Sequence, residues 1–175
     1  MAENNLPEVW LRGQIADFPV LLQPIAFALM QAQEDVNKYM VDFPDDLLYD
    51  RPGDAASVAF HLQHLSGVLD RMFTYAENMP LKEAQLNWLQ AEGKDQEKYG
   101  SGKDLVQTFN IQIETSLQKL KIIDLNSLTE PRGVGRQQLP STVFGLLIHA
   151  AEHTQRHVGQ LLVTVKVLKA PKKDR

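Results

Sequence analysis

Cysteine is absent from the chain, which removes disulfides, thiolate metal sites and a cysteine nucleophile together. Any metal must then be held by nitrogen or oxygen donors, and any thiol chemistry must take its thiol from outside. No stretch approaches the roughly 20 apolar residues of a membrane span. The opening MAENNLPEVW has neither the basic nor the apolar region of a secretory signal. The expectation is a cytoplasmic protein that engages no membrane. Excess basic charge is lacking as well: 18 Lys and Arg stand against 22 Asp and Glu, a net charge of -4. That balance gives no general attraction to phosphate backbones, and no basic, aromatic-studded face is visible, so nucleic acid is not an expected partner. The basic cluster Lys169, Lys172, Lys173 and Arg175, interrupted by Pro171, reads as a flexible, solvated tail over 169–175. With 43% hydrophobic residues in 175, the chain has enough apolar material for one domain spanning 1–175.

The apolar residues recur at helical spacing. Leu22, Ile25, Leu29, Ala32 and Val36 mark a first helix, with Pro19 and Pro24 early enough for its first turns. After the breaker PDDLLYDRPGD, the stripe Val58, Leu62, Leu65, Leu69, Met72 and Ala76 predicts a second helix from Ser57 to about Met79, with Asp54 or Ser57 as N-cap. A short helix is expected over 81–90. The polar connection AEGKDQEKYGSGKD leads to a third long helix carrying Val106, Phe109, Ile113, Leu117 and Leu120 inward and stopping near Lys121. From Asp124 to Pro140 the sequence reads as a long loop containing RGVGRQQLP, and its length invites a functional reading. Ser141 is a good N-cap for the last helix, which can run to about Leu168. No strand pattern or internal repeat stands out. The fold class is all-α, a four-helix bundle with a long loop before its last helix.

All five histidines fall in two windows: His61 and His64 in AFHLQHLSG, and His149, His153 and His157 in IHAAEHTQRHVGQ. A His-x-x-x-His pair on a helix places two imidazoles one turn apart, where both can reach one ion. Three ligands from one straight helix fit poorly, because His149 and His157 are about 12 Å apart along the axis. The seam Val143, Leu146, Ala150, His153, His157, Leu161, Thr164 and Leu168 favours His153 and His157 and leaves His149 at the flank. A third ligand is expected from the second helix. There His61 lies nearer the centre of the apolar stripe and His64 at its edge, so periodicity alone favours His61. The bland reading, histidines hydrogen-bonded to backbone or carboxylates, is weakened by the clustering. Three imidazoles leave positions open on zinc, nickel or iron, which suits a site that binds water or substrate.

The windows AFHLQHLSGVLDR and HAAEHTQRHVGQL resemble the DinB-like (DinB/YfiT) superfamily of four-helix-bundle proteins, a likeness that covers nearly the whole chain in helix order. The family's last motif, His-x-x-x-His followed by Gly-Gln and an aliphatic residue, corresponds to His153, His157, Gly159, Gln160 and Leu161. Its first, a histidine followed by an aliphatic residue, corresponds to His64 and Leu65. The resemblance therefore implies a ligand triad of His64, His153 and His157 rather than one containing His61. It also implies one divalent transition metal ion, and the activity of a metal-dependent hydrolase or of a low-molecular-weight thiol transferase acting on a small molecule. A homodimer is part of the same expectation.

Other residues can serve such a site. Arg132, Arg136 and Arg156 could hold a carboxylate or phosphate of a substrate, since arginine forks suit planar anions. Glu152 stands beside the ligands as a candidate base, although its spacing to Arg156 also suits a helix-surface pair. Gln160 lies one turn beyond His157 and could hydrogen-bond a ligand. The competing reading is a non-catalytic, metal-stabilised binding or stress-response bundle.

Overall fold

The computed structural model describes residues 6–94 and 100–171. Lys172, Lys173 and Arg175 of the basic tail and the middle of the polar connection, 95–99, lie outside the described residues. Four long helices carry the fold: α1 (Gln23–Tyr39), α2 (Val58–Ala76), α4 (Gly102–Ile122) and α5 (Val143–Lys169), with a short α3 (Glu83–Ala91) lying against α2. The helix stripes bury as their spacing predicts. Leu22, Leu29, Ala32, Val36, Leu62, Leu65, Leu69, Phe109, Ile113, Leu120 and Leu161 are fully buried in one core. Burial of each leucine or phenylalanine contributes about 2 kcal/mol of transfer free energy. Among the described residues, no helix is long and apolar enough to cross a membrane.

Local chemistry fixes the helix ends. Pro24 stands in the first turn of α1, where a missing N–H costs nothing. Of the two caps considered for α2, Ser57 is the one used: its hydroxyl accepts from the Phe60 N–H. α2 stops at Ala76, the last position of its apolar stripe and short of the expected end near Met79, and Asn78 turns the chain with φ at 59°. α5 is capped by Thr142, one residue beyond the expected Ser141, through an N–H from Gly145.

The expected loop before α5 is partly ordered as a β-hairpin. Strand β1 (Pro131–Val134) pairs antiparallel with β2 (Leu139–Thr142), Arg132 opposite Ser141. Four-residue strands containing Pro131, Gly133 and Pro140 show no alternation, so periodicity gives no sign of them. Backbone pairing and the Gly135 turn, at φ 67°, form the hairpin instead.

α2 makes its most extensive contacts with α5, and its others chiefly with α4; α1 packs on α5 and α4 from the opposite side. The two histidine windows therefore face each other across the α2–α5 interface.

Candidate metal centre

On α2, His61 and His64 are three residues apart and sit on neighbouring parts of one face; on α5, His153 and His157 are one turn apart. Packing of the two helices puts one ring nitrogen each of His64, His153 and His157 within 4.8 Å of one another. His64 Nε2 lies 2.9 Å from His153 Nε2. The ring centres of His64 and His157 are 4.5 Å apart, and those of His153 and His157 are 4.6 Å apart. No fourth histidine or carboxylate joins this group among the described residues.

His61 is buried in the apolar stripe, as periodicity requires, and for that reason it reaches the cluster from behind. Its Nδ1 is 3.1 Å from His157 Nδ1, so it engages the ring nitrogen of a neighbour rather than completing the three-histidine group. His64, at the edge of the stripe, is the residue that faces His153. A ligand at a helix edge can look across a groove between two helices, whereas one at the stripe centre is packed into the core.

Burial favours the neutral form of His61, His153 and His157. Desolvation is the main cause that lowers His61 and His153 to about 4 and His157 to about 3, with the neighbouring histidine charges adding in the same direction. Neutral imidazole offers the lone pair a metal requires.

The His64 ring is fixed in both orientation and tautomer. Phe60 stacks on it with the planes 9° apart and the centroids at 5.3 Å. Its Nδ1 is 2.6 Å from Glu92 Oε2, and the other carboxylate oxygen accepts from Arg71 at 2.9 Å. Glu92 lies just past the end of α3, which is pinned to α2 by the Trp88 indole N–H donating to the Gln63 carbonyl. The Gly93 N–H, in a left-handed conformation, donates to the Gln63 side chain. Neither Glu92 nor Arg71 is legible in the sequence as a neighbour of the histidines: Glu92 sits in the polar connection, and Arg71 lies beside the apolar stripe of α2. The Glu-Gly pair ending a short helix is the one local signal, and it marks a cap rather than a site.

A carboxylate beside a guanidinium accepts, so His64 donates from Nδ1 and turns Nε2 toward His153. At 2.9 Å the two Nε2 atoms have one proton between them, and the buried Nδ1 of His153 has no partner among the described residues. A cation in place of that proton would be held by ring nitrogens of His64, His153 and His157. The donor set, three imidazoles with no thiolate, fits a divalent transition metal.

Other charged and polar candidates lie outside this group. Glu152 and Arg156 pair on the exposed face of α5, and His149 Nδ1 lies 3.5 Å from the Glu152 carboxylate; His149, Glu152 and His153 form a second, mostly exposed group. The Arg156 hydrogen bond lowers the Glu152 pKa, which makes it a weak proton acceptor. Gln160 is exposed on α5. Arg132 donates to the Ala76 carbonyl at 2.8 Å and pairs with Glu130. Ala76 is 12 residues beyond His64 on α2, about 18 Å along the axis, so the structure does not bring Arg132 to the histidines. Arg136 lines a separate cleft of about 440 Å³ with Tyr75, Met79, Pro80 and Leu86.

Comparison with known proteins agrees with this architecture. A crystal structure of a conserved protein from Enterococcus faecalis superposes with a TM-score of 0.65 at 14% identity, over 85% of this chain and 96% of that one. A crystal structure of a protein from Streptococcus pneumoniae gives a TM-score of 0.60 at 15% identity, over 90% of this chain and 92% of the other. These likenesses establish the fold. No curated protein matches the chain. The family model of the DinB superfamily matches residues 28–161, which takes in most of the bundle and both histidine windows, and the chain belongs to that superfamily.

Proposed function

We propose that the chain binds one divalent transition metal ion, nickel, zinc or iron, through His64, His153 and His157, and that it is a metal-dependent hydrolase or low-molecular-weight thiol transferase acting on a small molecule. The observation that carries this reading is a group of three imidazole nitrogens within 4.8 Å of one another that no fourth protein donor joins among the described residues. Structural metal sites use four protein ligands, whereas a three-ligand set leaves room for water or substrate. When bound, the ion supplies Lewis acidity to an oxygen or to the sulfur of an external thiol. The protein contributes the rest. Phe60 and Glu92 hold the His64 ring, and His61 backs His157. On the outer side, the exposed Arg156 lies within one turn of His153, and an anionic group of a substrate would take the place of its Glu152 partner.

Cobalt substitution of the untagged protein, followed by addition of a small thiol, tests the open position. The reading expects a visible spectrum of a nitrogen-ligated ion that gains a sulfur-to-metal charge-transfer band with the thiol, or changes on adding a small anion. A spectrum that responds to neither describes a closed, non-catalytic metal site.

A further inference from the structure

Among the described residues, the buried ion pair behind His64 has no counterpart behind the other two histidines of the group. Glu92 is 4% exposed at its side chain and Arg71 8%. Taking two charges out of water is costly, and such a pair adds little stability over well-packed apolar residues. Its placement against His64 points to another role. The surrounding packing is also built around it: a Cβ on Gly67 would stand 2.6 Å from Arg71 Nη1, 2.7 Å from Glu92 Oε1 and 2.7 Å from Trp88 Cδ1. Only glycine at 67, on the buried side of α2, lets Arg71, Glu92 and Trp88 close in at once.

We infer that Glu92 is the positioning residue of the metal centre: fixed by Arg71 and by the close approach over Gly67, it takes the Nδ1 proton of His64 in a hydrogen bond and so aims the Nε2 lone pair at the ion. This inference rests on the metal reading above. The chain of contacts is continuous, Arg71 Nη1 to Glu92 Oε1 at 2.9 Å and Glu92 Oε2 to His64 Nδ1 at 2.6 Å, ending at His64 Nε2 beside His153. A carboxylate in this place does three things. It fixes the tautomer, it holds the ring against rotation, and it raises the basicity of the ligating nitrogen. Its origin in a different element, the end of α3, makes that short helix part of the site, although it contributes no ligand.

The experiment uses the full chain with three variants: Glu92→Gln, Arg71→Met, and the double variant Arg71→Met/Glu92→Gln. Two properties are measured, zinc affinity by competition with a chromophoric chelator and, in metal-free protein, the His64 tautomer by nitrogen-15 NMR. Wild type should bind about one ion per chain and show His64 protonated at Nδ1. Glu92→Gln should weaken zinc binding by about 10- to 100-fold, the usual effect of losing a residue that orients a ligand, and should lose the single tautomer. The double variant separates positioning from folding. Removing both charges relieves the uncompensated arginine, so its melting temperature should recover toward wild type while affinity and tautomer do not. If affinity recovers together with stability, or if Glu92→Gln binds zinc within twofold of wild type, Glu92 is a structural residue and the inference is wrong. Failure of the metal reading looks different: wild type itself then takes up no zinc, and both conclusions fall.

Discussion

At the scale of single residues, burial and neutrality are linked for the histidines, and the link sets a pH dependence. His61 is 3% exposed and its pKa is lowered from 6.5 to about 4. A group whose folded pKa is depressed keeps its full contribution above the unfolded pKa and loses it as pH falls toward the folded one. Metal-free protein should therefore be destabilised between pH 6.5 and pH 4, with His153 and His157 acting in the same direction. For His61 alone, the drop from about pH 6.5 to about pH 5 amounts to about 2 kcal/mol, at roughly 1.36 kcal/mol for each unit. Urea unfolding of metal-free protein at about pH 7.5 and about pH 5 checks this, and equal stabilities at the two values would contradict it. Gly159 offers a second residue-level prediction. It sits within the helical run of α5, and a methyl group added to its Cα would meet nothing within 4 Å. Gly159→Ala should therefore raise stability by about 0.5–1 kcal/mol, read as a higher melting temperature. The five histidines are legible in the sequence because a reactive residue type is confined to two windows. Glu92 and Arg71 are not, because nothing in helical spacing says which charged residue beyond a helix end will be folded back under a ligand.

At the scale of elements, the long helices follow from their stripes, since every stripe position of α2 from Val58 to Ala76 is buried. The choice between His61 and His64 shows the limit of the same argument. Periodicity ranks residues by closeness to the stripe centre, but a ligand shared by two helices belongs at the rim where they part. His64 satisfies that requirement and His61 instead fills the core behind His157. The hairpin is illegible for another reason, since its strands are too short and too polar to carry a period of two. Its work is visible in Arg132, whose guanidinium satisfies the last carbonyl of α2. Arg132→Met should thus lower stability by about 1 kcal/mol, the net value of one such hydrogen bond, while leaving metal affinity unchanged, because it acts about 18 Å from the histidines by helix rise. A loss of affinity in that variant, measured by chelator competition, would show the hairpin to be coupled to the site.

At the scale of the whole molecule, the bundle brings together residues far apart in the chain, His64 with His153 and His157, by the packing of α2 on α5. Helix order and the resemblance to the DinB superfamily make that pairing foreseeable; the sequence alone does not show that α3 returns to brace it. Because the three histidines come from two helices, an ion held by them should stabilise the fold as a unit. A ligand at roughly 100 times its dissociation constant adds about 2.7 kcal/mol when it binds only the folded state. Thermal unfolding with and without excess zinc should show one cooperative transition, shifted upward by the metal.

The most direct test of the central claim is the metal content of untagged protein, by elemental analysis, for wild type and for His64→Ala, His153→Ala, His157→Ala and His61→Ala. The account predicts about one ion per chain in wild type, its loss in each of the first three variants, and its retention in His61→Ala. Wild-type protein that carries no metal and cannot be loaded, or retention of the ion in His64→Ala with loss in His61→Ala, would contradict it.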